Sequence, residues 1–209
     1  MYKFLIADDH AIVRKGLVQL IREEFYEAEI AEATDSNEVY EKVKSQIWDV
    51  ILLDISMPGR NGLDILKQLR AEGIKAPILM LSMHPEEQYA IRVLKAGASG
   101  FLNKESANAE LVLAIQKVLT GRKYISASLA EKLADNAGDK SDKALHESLS
   151  DREMQVLQML ASGKTVSEVG IEISLSVNTI STYRARLLEK LSLNNNAELT
   201  RYALDNGLV

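Results

Sequence analysis

Residues 50–63 read VILLDISMPGRNGL. Val50–Leu53 is an apolar run too short for a helix. An acid, Asp54, ends it, and a loop rich in turn formers follows, with Pro58, Gly59, Asn61 and Gly62. A strand covered on both faces shows such a continuous run, whereas a half-exposed strand alternates. The same signal recurs at Phe4–Ala7, Ile78–Leu81 and Phe101–Leu102 and, interrupted by Glu32, at Ile30–Ala33. Between the runs, apolar residues recur at helical spacing. They are Ile12, Leu17, Leu20 and Ile21; then Val39, Val43 and Ile47; then Leu63, Leu66 and Leu69; then Tyr89, Val93 and Leu94; then Leu111, Ile115, Val118 and Leu119. Five strands alternating with five helices predict an α/β domain with a five-stranded, doubly wound parallel sheet over residues 1–124.

Beyond it the pattern changes. Residues 125–147 read as a linker that opens with a helical turn or more; Asp135–Lys143 is small, polar and charged, without apolar periodicity. Residues 148–209 carry helical signals and no strand signal, which predicts an all-α four-helix domain. Ser150 and Glu153 have the spacing of a capping box, and Gly163 closes that helix. Val166–Ile173 is the second helix, Ser174–Ser176 a turn and Val177–Leu191 the third. Asn196–Asn206, closed by Gly207, is the fourth.

Composition narrows the function classes. The chain has 209 residues, of which 46% are apolar and 26% charged, values ordinary for a folded domain. No apolar run is long enough to span a membrane, and MYKFLIADDH is not a secretory signal, so a cytoplasmic protein is expected. Without cysteine there are no disulfides, thiolate metal sites or cysteine nucleophiles. The net charge of −5 excludes a globally basic nucleic-acid coat, and residues 148–209 are themselves at −1. Yet Val177–Ser192 gathers Arg184, Arg186 and Lys190 against Glu189 alone.

In an open parallel sheet, function collects at the carboxyl ends of the strands. Asp8 and Asp9 end the first strand, Asp54 the third and Ser82 the fourth, while Lys104 lies two residues past the fifth. Carboxylates brought that close repel unless a cation intervenes, and hard oxygen ligands suit Mg²⁺. A carboxylate can also take a phosphoryl group as an acyl phosphate. Asp54, on the central strand, is the expected nucleophile. Asp8, Asp9, Asp54 and a carbonyl near Ser56 would hold the metal. Lys104 would neutralise the phosphoryl oxygens and Ser82 would donate to one of them.

The stretches IADDH, LLDISMPGRNG and GASGFLNK, with Ser82 at its strand end, resemble the receiver domain of two-component response regulators, a flavodoxin-like fold, over residues 3–122. The resemblance implies that Asp54 accepts phosphate from a sensor histidine kinase. It also implies that Phe101 changes rotamer as Ser82 moves toward that phosphate. Pro58 and Gly59 would shape the loop after Asp54. Slow self-phosphotransfer and dephosphorylation at Asp54 would be the only catalysis. An aspartate-based phosphohydrolase would need a second aspartate where Ser56 stands.

At the other end, two helices joined by a tight turn, with positive charge on the second, suggest a helix-turn-helix. Val166, Val169 and Ile173 would pack the supporting helix, and Ile180, Leu187, Leu188 and Leu191 would hold the second one. Asn178, Thr179, Ser181, Thr182, Ala185 and Arg186 remain to meet base edges in the major groove. Arg184, Arg186 and Lys190 would mostly meet phosphates. LSDREMQVLQMLASGKT, SLSVNTISTYRARLLEKLSL and AELTRYALDNGLV resemble the LuxR/NarL-type DNA-binding domain. Many members have lysine where Ser181 stands and histidine where Tyr183 stands, and Gly170 replaces an alanine. The resemblance implies promoter DNA and a homodimer formed on phosphorylation, with contact through the last helix. RNA polymerase stands as a further partner.

Overall fold

The computed structural model describes residues 1–57, 60–83, 86–136 and 145–209. The chain divides into two compact units, Met1–Gly138 and Asp139–Val209.

The first unit runs β1 (Lys3–Ala7), α1 (Ala11–Glu24), β2 (Glu29–Ala33), α2 (Ser36–Ser45), β3 (Val50–Asp54), α3 (Gly62–Ala71), β4 (Ile78–Ser82), α4 (Glu86–Lys95), β5 (Gly100–Asn103), α5 (Ala107–Leu119) and α6 (Ala127–Asn136). All pairings are parallel, in the order β2-β1-β3-β4-β5. This is the expected doubly wound sheet. Its order reverses between β1 and β3, so a cleft opens over the ends of those two strands.

Alternate residues of the strands face opposite sides. Phe4, Ile6, Leu52 and Leu81 meet Ile21, Leu111 and Ile115 of α1 and α5 in one core. Leu5, Ile51, Leu53 and Met80, which point the other way, are equally buried. Each such side chain contributes about 1.5–3 kcal/mol, so this core can offset one buried charge at its rim. Two expected core residues lie outside it: Ile12 is 84% exposed and Ile47 89% exposed. Ile12 sits in the first turn of α1, at the rim of the sheet. Helix α2 stops at Ser45 and Gln46 is extended (φ −160°), so Ile47 never completes the face of Val39 and Val43.

The second unit has a 3-10 turn (Leu145–Ser148), α7 (Asp151–Ala161), α8 (Val166–Glu172), α9 (Val177–Lys190) and α10 (Asn196–Asp205). Both halves of the capping box form: Ser150 Oγ accepts from Glu153 N, and the Glu153 carboxylate accepts from Ser150 N at 2.7 Å. Thr165 and Glu168 repeat the motif on α8. Val169, Ile173, Ile180, Leu187 and Leu191 are buried together with Leu157, Leu160, Leu199 and Ala203; Val166 and Leu188 are half-buried. Gly170 is required here: a Cβ on it would lie 2.8 Å from the Leu175 carbonyl oxygen, where the chain turns from α8 into α9.

Candidate functional site

The hydrogen bonds that end the strands set the rim of the cleft. Asp8 N donates to Ala33 O at 3.1 Å, Ile55 N to Leu81 O at 2.9 Å and Lys104 N to Ser82 O at 2.8 Å. These bonds fix the backbones carrying Asp8, Asp54, Ser82 and Lys104, and all four side chains are buried. Asp9 lies half-buried beside them. The Lys104 ammonium stands 2.7 Å from Asp8 Oδ2 and 3.0 Å from Asp54 Oδ2.

Sequence reading did not anticipate the residues that hold this arrangement. Asp8 Oδ1 accepts from His10 N at 2.8 Å, so Asp8 also shapes the entry to α1. The His10 ring Nδ1 lies 2.7 Å from Asp9 Oδ1 and 3.2 Å from Asp8 Oδ1. Arg14 donates to Asp8 O at 2.8 Å and pairs with Glu32 at 2.9 Å. Gly62 is the least replaceable: a Cβ there would sit 2.0 Å from the Asp54 carbonyl oxygen. The buried Asn61 caps α3 by accepting from Leu63 N at 2.8 Å, which brings that helix close under the Asp54 loop. The NG pair at 61–62 signals only a turn in one dimension. Pro58, Gly59 and His84 lie outside the described residues.

Burial is the largest influence on Asp54 and pushes its carboxyl from 3.8 up to about 6. The Lys104 ammonium lowers it, Asp8 raises it, and a backbone hydrogen bond from Ser56 lowers it. For Lys104, burial acts to lower the ammonium's pKa, but Asp54 and Asp8 outweigh it and the net shift is upward. The pocket is short of positive charge. Asp8 Oδ2, Asp9 Oδ1 and Asp54 Oδ2 are buried without a well-aligned hydrogen bond. Ligand atoms of Asp8, Asp9, His10 and Asp54 lie within 4.8 Å of one another. Asp8 Oδ2 and Asp54 Oδ2 share the one Lys104 ammonium and Asp9 Oδ1 faces only the His10 ring, so these closely spaced anionic oxygens fit a hard divalent cation, and Mg²⁺ suits them. The cluster can therefore hold a metal.

On α9, Ile180 and Leu187 point inward while Asn178, Ser181, Thr182, Ala185 and Arg186 are exposed. Thr179 is engaged in the cap of its own helix, donating its N–H to Ser176 Oγ at 3.1 Å. Thr182 donates to Asn178 O at 2.9 Å, and Arg184 to Asn196 Oδ1. Lys190 reaches back to Glu153 at 2.7 Å, so its charge is engaged within the unit. Burial raises the Glu153 carboxyl, but bonds from Lys190 and Ser150 overcome it, and the net shift is downward.

The model of the response regulator receiver domain matches residues 4–116, and that of the bacterial regulatory proteins of the luxR family matches residues 147–203. The chain is a response regulator. Response regulator UvrY of Escherichia coli K12 is 32% identical to it over 209 residues, covering 100% of this chain and 96% of UvrY. The oxygen regulatory protein NreC of Staphylococcus epidermidis is 33% identical, covering 99% of each chain. Among solved structures, RcsB from Salmonella enterica serovar Typhimurium, bound to promoter rprA in the presence of phosphomimetic BeF₃⁻, has a TM-score of 0.67. It is 26% identical over 96% of this chain and 97% of that one. This response regulator thus joins a receiver to a LuxR-type DNA-binding domain, and such proteins act as transcription factors rather than as enzymes in the ordinary sense. None of its described helices is long and apolar enough to cross a membrane.

Proposed function

We propose that this response regulator is switched by phosphorylation of Asp54, with residues 1–124 as the phosphoacceptor domain, 125–147 as linker and 148–209 as the reader of promoter DNA. One observation carries the reading. Asp54 is a buried carboxylate at the switch point of the sheet, beside two further acids whose ligand atoms lie within 4.8 Å of its own, with one lysine shared between Asp8 and Asp54.

The donor is the phosphohistidine of a cognate sensor kinase. An Asp54 Oδ attacks phosphorus, the P–N bond breaks, and its electron pair returns to the imidazole. Asp8, Asp9, Asp54 and the Ser56 carbonyl are the residues that would hold Mg²⁺, which supplies charge neutralisation at the phosphoryl oxygens. Lys104, already between Asp8 and Asp54, turns its ammonium to a phosphoryl oxygen. Ser82 donates to another, and Phe101, buried on β5, follows it. Hydrolysis by water at phosphorus restores the carboxylate.

The phosphorylated form favours a homodimer that sets two α9 helices on a two-fold site. Asn178, Thr179, Ser181, Thr182, Ala185 and Arg186 face the bases and Arg184 the phosphates, while Lys190 stays paired with Glu153. The protein then acts in the cytoplasm on promoters read by RNA polymerase. The test is labelling with acetyl phosphate and Mg²⁺, read by intact mass. One phosphoryl group is expected on the wild type and none on Asp54→Ala or on wild type in EDTA. Equal labelling of Asp54→Ala would refute the assignment.

A further inference from the structure

We infer that the segment Tyr124–Leu129 is the relay that carries the state of Asp54 out of the receiver. It does so by docking on α4, β5 and α5 and letting go of α4 on activation. This rests on the proposed phosphorylation of Asp54.

The segment has a fixed anchor and a movable one. The fixed anchor is Tyr124. Its N–H donates to Ser99 O at 2.8 Å, and it bridges Gly100 in parallel register, extending the sheet beyond β5. Gly100 admits it: a Cβ there would lie 2.7 Å from the Tyr124 carbonyl oxygen. The buried ring donates its hydroxyl to Glu110 Oε2 of α5 at 2.8 Å, and Lys117 Nζ lies 5.4 Å from its centroid.

The movable anchor is Ser126. Its Oγ accepts from Leu129 N at 3.0 Å, capping α6, and the same hydroxyl donates to Glu86 Oε2. Glu86 is the first residue of α4 and stands four residues after Ser82, the hydroxyl that meets the phosphate. Glu86 is thus the residue of α4 nearest Ser82 along the chain, and a shift of Ser82 toward Asp54 is read at the Ser126–Glu86 bond. The hold on Glu86 is one-sided, since its Oε1 is buried without a hydrogen-bond partner.

Helix α6 depends on this tether. It spans 10 residues, a length marginal for an isolated helix. Of its described side chains, Ala127 to Glu131, only Leu129 is buried. Loss of the Ser126–Glu86 bond leaves the cap on Leu129 in place but unties it from α4, so that Leu129 is the one described side chain of α6 still buried. The helix then loosens while Tyr124 stays fixed, and the chain leading to the DNA-binding domain is released from the receiver.

The test is hydrogen exchange on the full chain, with and without Mg²⁺ and BeF₃⁻. In the wild type, activation should slow exchange around Asp54 and speed it over 127–136 by about tenfold, with Tyr124 unchanged. In Glu86→Ala, which leaves the cap on Leu129 intact, 127–136 should exchange within about threefold of the activated wild type before any BeF₃⁻ is added. Glu86→Gln, which can still accept from Ser126, should stay close to the resting wild type. If BeF₃⁻ slows exchange around Asp54 but leaves 127–136 unchanged, or Glu86→Ala behaves as resting wild type, the relay is overturned. If BeF₃⁻ has no effect around Asp54 either, it is the phosphorylation reading that fails.

Discussion

Replacing Asp54 by asparagine should stabilise the receiver, and the gain should depend on pH. Burial raises the Asp54 carboxyl from 3.8 to about 6, so the folded state holds its proton more tightly than the unfolded chain. Such a group favours folding below pH 3.8, and that contribution is lost as pH rises through about 6. The loss is about 3 kcal/mol, from a shift of roughly two pH units at 1.36 kcal/mol each. The asparagine side chain keeps the shape and cannot ionise. The stability difference between Asp54→Asn and wild type should therefore be flat near pH 3.5, open between about pH 4 and 6, and level off near 3 kcal/mol in favour of the variant. Urea unfolding followed by Trp48 fluorescence measures it. The chain's single tryptophan is buried in the receiver, with Nε1 donating to Lys42 O at 2.9 Å, so the signal reports that unit alone. Saturating Mg²⁺ should narrow the gap by stabilising only the wild type. A difference that does not vary with pH, or a variant less stable at pH 7, would refute the electrostatic reasoning.

Gly62→Ala should destabilise the receiver by about 3 kcal/mol or more, read by the same fluorescence, because a Cβ at 2.0 Å from a backbone carbonyl has no flexible neighbour to displace. Lys190→Met should lower the melting temperature of the DNA-binding unit in calorimetry of the full chain. The cost is about 2 kcal/mol, since Glu153 is left buried without its partner. A residue serving only as a phosphate contact would leave that temperature unchanged. The Glu153 carboxyl is depressed, so its stabilisation is present at neutral pH and lost as pH falls through its folded pKa; Lys190→Met should weaken that acid dependence, since the Ser150 bonds remain. Ser150→Ala removes one half of the capping box and should cost about 1 kcal/mol in the same transition.

The strand signals at Phe4–Ala7 and Val50–Leu53 were legible because a strand buried on both faces has no polar residue to interrupt it. The acids, Ser82 and Lys104 were legible for the opposite reason, as polar residues at the ends of apolar runs. Helix spacing misled at Ile12 and Ile47, where periodicity ran past the true face of the helix. The supports of the site were not visible, because each is a close approach in three dimensions that residue type alone does not mark. Gly62 beneath the Asp54 carbonyl reads only as a turn former, and Gly170 beside Leu175 only as a glycine in place of an alanine. Lys190 reads as one more cation on a basic helix, because nothing in the sequence marks its reach to Glu153, 37 residues away. The Ser126–Glu86 tether spans 40 residues and lies in a stretch whose composition suggests only a linker.

The chemical state of Asp54 should govern the grip of α9 on DNA. Fluorescence anisotropy with a labelled promoter fragment measures it directly, at fixed salt, with Mg²⁺ and with or without BeF₃⁻. BeF₃⁻ should tighten binding at least tenfold for the wild type and leave Asp54→Asn unmoved. Equal affinities for the wild type in the two conditions, with BeF₃⁻ shown to occupy Asp54, would contradict it.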